Sequence, residues 1–492
     1  MNFASAPFLL IFLPLVLVVF HAIRGERAGE WRMAFLTLAS ALFYVSSGWQ
    51  NALVLGSSIA VNFGCAKMMM AANEGHVKRR KAIMWLAVIF NVGLLLTFKL
   101  TILAADSPDG FNAAEDVLLP LALSFVTFQQ IGFITSVQKR TITQITLRRY
   151  LFFVLFFPQL VLGPIIRFED VKQQLDDGAL VHVDPRWVAT GLAIFSLALF
   201  KKLALADPLG RAATRVFDAT LTGPVPLGDA WFAITTFQFQ LFFDFTAYAE
   251  MAIGLAMMHG MRVPLNFDRP LFARDRADLW RRWHISFTTF MRGNVFLPLV
   301  RRWKWPVWAA LAMTGILSGL WHGLGATFVI WGLLQTAILL WLHARATSRR
   351  ASGRRPLPIP LAIALTFLTT CLIGALFRAP DIIAAQHIYT SLLGAGGWHG
   401  GQSLVTLSQL AMAIMAALLI WAAPDFGQLF RNHWQYTELR PTAAKPPRHW
   451  IEGVLPFRLN RAWGVICALA VVIALTLLAR QVGATRFVYV QF

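Results

Sequence analysis

Charge is scarce in this sequence. Only 14% of its 492 residues are Asp, Glu, Lys or Arg, where a soluble globular chain carries about 25%. That scarcity excludes an ordinary water-soluble protein, and no interval of the chain reads as a soluble domain. Cysteine is scarcer still. Cys65, Cys371 and Cys467 each fall inside an apolar stretch. An odd number with no close pair argues against a disulfide framework or a cysteine metal site, so they read as packing residues. Signature loops are missing too. There is no Walker-type glycine loop, no Gly-x-Ser-x-Gly elbow and no His-Glu-x-x-His pair, which leaves phosphate-loop, serine-elbow and zinc-helix chemistry without support. Acids are the least available charge, with 24 Asp and Glu against 44 Lys and Arg.

What is present is apolar sequence in blocks. Phe8–Ile23, Ala82–Ala104, Val117–Val137, Trp187–Ala206, Leu357–Phe377, Leu404–Ala423 and Trp463–Ala479 each approach the roughly 20 residues a helix needs to cross a bilayer. The chain therefore reads as an all-α polytopic membrane protein. The first block has no Lys or Arg in Met1–Pro7 and no small-residue cleavage site after it. It is expected to be a retained helix rather than a signal peptide. The excess of base sits in loops, at Arg24–Arg32, Lys78–Lys81, Lys139–Arg149, Arg345–Arg355 and Arg431–Arg461. That distribution assigns it to membrane topology and lipid headgroups rather than to nucleic acid. The acidic Asp106–Asp116 stretch and the N-terminus are then expected outside, and the Pro- and Arg-rich interval 424–461 in the cytoplasm. No internal repeat is evident, which weakens a transporter built from two similar halves.

Two segments interrupt the pattern. Phe152–Ile166 is apolar but short and contains Pro158, Gly163 and Pro164. Ser318–Gly325 places three glycines around one Trp and one His. Irregular backbone at membrane depth is tolerated only where protein buries it or water reaches it, so both mark an internal cavity.

An ionisable group at a bilayer centre costs about 2.5–3.5 kcal/mol on insertion scales and calls for a reason. His322 lies in a stretch with no charged residue between Lys304 and Arg345. It reads either as a core histidine bonded to a carbonyl or as a base able to take a proton from a hydroxyl near neutral pH. His284 follows Asp278-Leu-Trp-Arg-Arg-Trp. Helical spacing puts Trp280, Trp283, His284 and Phe287 on one face, as in a helix lying at the membrane interface. Asp244 sits among aromatics and is expected to pair with an arginine of Arg269–Arg292; Glu250 is weighed the same way. Bases near Arg274–Arg282 suit either the phosphates of a nucleotide-containing donor or lipid headgroups.

These motifs resemble a known family. Phe239-Gln-Leu-Phe-Phe-Asp-Phe-Thr-Ala-Tyr-Ala-Glu-Met-Ala-Ile-Gly-Leu, Asn266-Phe-Asp-Arg-Pro and Trp280-Arg-Arg-Trp-His-Ile-Ser look like the membrane-bound O-acyltransferases, and more closely their bacterial alginate O-acetylase branch. Phe157-Pro-Gln-Leu-Val-Leu-Gly-Pro-Ile-Ile-Arg167, Gly319-Leu-Trp-His-Gly323, Phe328-Val-Ile-Trp-Gly-Leu, Leu376-Phe-Arg-Ala379 and the Phe487–Phe492 ending match in the same order. The resemblance implies one membrane-embedded acyltransferase domain over 1–492, with its catalytic core in 150–345. It also implies roughly 11–14 spanning or re-entrant helices around a funnel or tunnel. His322 would be the active-site histidine and His284 the second characteristic one, with Asp244, Trp321, Trp283, Tyr248, Asn266 and Arg282 lining or supporting the tunnel. No bound cofactor or metal is implied. Acetyl-CoA would be the donor, from the cytoplasmic side of the bacterial inner membrane. The acceptor would be an exopolysaccharide such as alginate or cellulose, peptidoglycan, or a periplasmic or membrane-anchored partner protein. Arg292-Gly-Asn, Ala247 and Glu250 depart from the family pattern of Arg-Asp-Tyr, Gly and Asp. From another class, a transporter or export-complex scaffold without chemistry is also compatible with the architecture, and would tolerate loss of the His322 imidazole.

Overall fold

Apolar runs of spanning length become helices, and the broken runs become broken helices. The computed structural model describes residues 1–72, 75–105, 122–160, 163–352, 357–398, 403–430 and 457–480. The Asp106–Asp116 stretch, most of 424–461 and the Phe487–Phe492 ending lie outside the described residues. Among the described residues there is no strand. Seven helices are long and apolar enough to cross a membrane, and Phe8–Ala22, Val307–His322 and Leu407–Ala422 are shorter apolar helices. This is an all-α, multi-pass membrane protein.

Eight helices carry the site: α1 (Val77–Ala105), α2 (Pro185–Ala219), α3 (Leu227–Met258), α4 (Arg276–Arg282), α5 (Ile285–Met291), α6 (Val307–His322), α7 (Ala326–Ser352) and α8 (Ile359–Arg378). Burial ranks them. The apolar window of α3 is 89% inside the protein, against 11% for the terminal helix Arg461–Arg480. The first is therefore the central post and the second a lipid-facing strut.

Lipid is as apolar as leucine, so helices in a bilayer hold together by close packing of small residues and by polar contacts. Both devices appear. Gly191 of α2 and Gly254 of α3 meet backbone to backbone, where a Cβ added at Gly254 would sit 2.5 Å from the Gly191 carbonyl oxygen. In the middle of α2 a π-helical turn, Lys201–Ala206, carries two lysines toward α3. Lys202 Nζ lies 2.6 Å from Asp207 and 2.8 Å from Asp244, and Lys201 lies 2.5 Å from Glu250. Asp244 was expected to pair with an arginine of the Arg269–Arg292 segment. Its partner is instead Lys202, because the π turn brings that amine into the aromatic core.

The short Phe152–Ile166 segment is irregular as its prolines require. Helix Leu147–Leu155 stops, one further turn forms at Phe157–Leu160, and Gly163–Arg167 has no regular structure. Phe152, Phe153 and Phe157 are fully buried, and polar side chains satisfy the freed backbone. Ser40 accepts from the Phe157 N–H at 3.0 Å, Gln129 donates to the Phe153 carbonyl at 2.9 Å, and Ser286 accepts from the Ile165 N–H at 3.1 Å.

Candidate active site

The Trp280–Phe287 segment is not one interfacial helix. α4 ends at Arg282, Trp283 is extended, and His284 adopts the left-handed conformation (φ 46°, ψ 54°) before α5 begins. Such a backbone is strained for a residue with a side chain, by roughly 1–3 kcal/mol. The break turns His284 inward until only 2% of it is exposed. Aromatic periodicity could not foresee this, because the conformation is imposed by a distant residue. Asn266 brackets the break. Its carbonyl accepts from the Ile285 N–H at 2.9 Å. Its side-chain Oδ1 accepts from the Ser286 N–H at 3.1 Å and the Ser286 hydroxyl at 2.9 Å, and lies 3.2 Å from His284 Nδ1.

These contacts fix the tautomer. A backbone N–H can only donate, so the Asn266 atom facing it is the oxygen. Nδ1 of His284 must then carry the hydrogen, and Nε2 keeps a bare lone pair. That Nε2 is buried and has no hydrogen-bond partner among the described residues.

His322 arrives from the other side. It is the last residue of α6, and the chain leaves at an extended Gly323. The glycines around it do not break α6 at Ser318 or Gly319. They let α6 lie directly on α7. A Cβ at Gly319 would fall 2.4 Å from the Phe328 carbonyl oxygen, and one at Gly332 would fall 2.5 Å from that of Gly315. The imidazole is therefore positioned by backbone contact rather than by flexible side chains. Its own carbonyl, one of the orphans at a helix C-terminus, accepts from Lys99 Nζ of α1 at 3.0 Å. A cation there also favours the negative end of the helix dipole. Sequence reasoning does not single out Lys99, which lies inside the apolar block Ala82–Ala104.

The two imidazoles meet across one indole. The Trp321 ring centre is 6.1 Å from that of His284 and 4.4 Å from that of His322. Phe245 and Phe287 close around His284, at 4.8 and 5.1 Å, and Phe377 and Trp331 around His322, at 4.8 and 5.4 Å. Both histidines line one cavity of about 50 Å³ with Trp283, Phe287, Trp331 and Phe377, and with the polar Gln238, Arg276, Gln335 and Thr370. That volume admits water or a two-carbon fragment, and falls far below the roughly 300–1,000 Å³ that houses a whole drug-sized ligand.

The other sequence candidates are distributed unevenly. Trp283 lines the cavity, Trp321 separates the imidazoles and Asn266 stands behind His284. Asp244 and Tyr248 belong to the Lys202 cluster, with the Lys202 amine 5.8 Å over the Tyr248 ring. Arg282 points away to Asp278 at 3.0 Å and Asp268 at 3.8 Å. Of the bases in Arg274–Arg282, Arg274 and Arg281 are exposed while Arg276 is buried and faces the cavity. Cys65 and Cys371 are buried free thiols and Cys467 is half-buried. Among the described residues no group of three His, Cys, Asp or Glu gathers as a metal site.

A multi-pass helical protein that buries two histidines on one small aromatic chamber, with polar residues in the same lining, has the makings of a membrane acyl-transfer enzyme. Comparison with known proteins defines the class. The chain matches the model of MBOAT, the membrane-bound O-acyltransferase family, over residues 124–370, a stretch that holds both histidines and these polar residues. It is 32% identical to a peptidoglycan O-acetyltransferase of Helicobacter pylori, over 74% of each chain. It is 32% identical to a probable alginate O-acetylase of Pseudomonas aeruginosa, over 85% of this chain and 79% of that one. It is 29% identical to a probable alginate O-acetylase of Pseudomonas putida, over 100% of both. The chain belongs to the membrane-bound O-acyltransferase family and is an O-acyltransferase.

Proposed function

We propose that this enzyme moves an acetyl group from acetyl-CoA, taken from the cytoplasmic side of the bacterial inner membrane, to a hydroxyl of an exported polysaccharide or of a periplasmic partner protein that passes it on. The observation that carries the reading is the shared chamber of His284 and His322, sized for the acyl end of a donor and not for its nucleotide. The similarity to named peptidoglycan and alginate O-acetylases supports acetyl over longer chains and a polymer as final acceptor.

In this reading His322 is the general base. The acceptor hydroxyl oxygen bonds to the thioester carbonyl carbon while its proton passes to the imidazole. The intermediate then collapses, the C–S bond breaks, and the thiolate leaves with that proton. General-base catalysis contributes about 10²–10⁴-fold. His284, held with Nε2 bare, accepts a hydrogen bond from a second hydroxyl of the acceptor and so orients it.

The test uses purified protein in lipid nanodiscs with acetyl-labelled acetyl-CoA, comparing wild type with His322→Ala. Loss of thioester turnover in a folded variant supports the base, and label retained on the protein diverts the mechanism to a covalent acetyl-imidazole. Equal turnover by both proteins removes His322 as the base, and no turnover by either with a candidate partner present removes acetyl-CoA as the donor.

A further inference from the structure

The polar part of the chamber lining contains a charge with no counterion among the described residues. Arg276, at the start of α4, is 5% exposed. One guanidinium nitrogen donates to the Thr370 hydroxyl of α8 and another to Gln335 Oε1 of α7, each at 2.5 Å. Both acceptors are neutral. Among the described residues Arg276 has no carboxylate partner, and its Nε–H is buried with no acceptor. Gln335 is left in the same condition. A guanidinium has donors only, so the amide atom facing Arg276 is the oxygen, and Gln335 Nε2 is then a buried donor with nothing to receive it. Both residues line the chamber that holds the histidines.

A buried cation without an anion, beside a buried amide donor without an acceptor, is unfavourable at rest. The arrangement becomes favourable when negative charge appears between the two. The chamber is too small to bring in a phosphate or a sugar acid together with the reacting groups. The charge that fits is one made inside it. Distance agrees. Gln335 follows Trp331 by one turn of α7, about 6 Å along the axis, and the Trp331 ring packs against His322. A base, a hydroxyl, a tetrahedral carbon and an oxyanion donor in sequence span about 8 Å when each hydrogen bond is near 2.8 Å.

We propose that Arg276 and Gln335 form the oxyanion hole of this acyltransferase. As the hydroxyl oxygen adds to the thioester carbon, the carbonyl π pair moves onto oxygen. Arg276 Nε–H and Gln335 Nε2–H donate to that oxygen until the pair returns and expels the thiolate. This deepens the acyl-transfer reading and rests on it.

The deciding variant is Gln335→Glu, assayed in nanodiscs with acetyl-CoA. It supplies Arg276 with the carboxylate it lacks, replaces the free amide donor by an acceptor and keeps the side-chain volume. The expected result is a kcat lower by about 10²–10³-fold, the loss typical of removing one oxyanion donor, with KM for acetyl-CoA unchanged and thermal stability at or above wild type. Arg276→Lys keeps the charge without the fork and is expected to lose less, again in kcat alone. A folded Gln335→Glu enzyme with wild-type kcat overturns the proposal. So does a defect confined to KM, which would mean recognition of an anion in the bound substrate. Should Gln335→Glu fail to fold, Arg276→Lys decides by the same split. Wild-type enzyme that shows no turnover, or none dependent on His322, would instead defeat the underlying acyl-transfer reading.

Discussion

Replacing Asn266 by alanine separates the role of the His284 tautomer from simple packing. The side-chain oxygen takes three hydrogen bonds, from Ser286 N–H and Oγ–H and from His284 Nδ1–H. At about 1 kcal/mol net for each, the variant loses about 3 kcal/mol. A domain stable by about 5–15 kcal/mol survives that, so folded protein is expected, with a lower midpoint in thermal unfolding. Activity should fall further than stability suggests. Without its acceptor the Nδ1–H is stranded among aromatic rings, and the proton is better placed on Nε2, which converts that nitrogen from acceptor to donor. We expect kcat for thioester turnover with acceptor present to drop about 10²-fold, the low end of what a positioned acid–base group supplies. Asn266→Asp is the control. A carboxylate accepts the same three donors, and the amide nitrogen it replaces has no partner among the described residues. Activity should therefore stay within a few-fold of wild type. An alanine variant with wild-type kcat, or an aspartate variant as impaired as alanine, would refute the tautomer argument.

Asp244→Asn leaves the buried Lys202 with one carboxylate fewer. It should cost about 3 kcal/mol, the low end for breaking a buried pair, read as a lower unfolding midpoint at unchanged KM for donor. Gly319→Val pushes a side chain into the Phe328 carbonyl and prises α6 from α7. Folded yield should fall, and the surviving protein should show a reduced kcat because His322 is displaced.

The sequence displayed some of this site openly and hid the rest for a physical reason. Spans were legible because bilayer thickness imposes length and apolarity together. The interruption at Pro158 and Gly163 was legible because proline and glycine act on their own backbone. His322 stood out as an ionisable group in an uncharged stretch, whereas His284 read as interfacial beside Arg281 and Arg282 and drew a role only from the family resemblance. The break at His284 was not legible. Trp280, Trp283 and Phe287 carry a helical period, and the left-handed residue among them is enforced from Asn266, eighteen residues earlier. Asp244 was offered arginines from the wrong segment because the partner, Lys202, reaches it through a π turn that no propensity announces. Lys99, Arg276 and Gln335 gave least warning of all. Arg276 reads as one of several bases suited to phosphates or headgroups, and Lys99 and Gln335 are not singled out; only tertiary packing, across gaps as long as the 223 residues between Lys99 and His322, brings them to the histidines or their chamber.

The contrast between the shielded α3 and the lipid-facing helix Arg461–Arg480 has a mechanical consequence. A membrane that thickens, thins or stretches acts first on the helices it wets, which tilt or shift at modest cost. His322 hangs from such a pair of helices: only 28% of the apolar window of α7 is inside the protein, and Trp308 and Leu317 of α6 are exposed. His322 is welded through glycine contacts to α7, and His284 is pinned by Asn266 against the interior. Strain from the bilayer therefore moves α6 and α7 as one body and carries His322 with them, while His284 stays with the interior. The spacing between the two imidazoles is the coordinate on which lipid thickness acts.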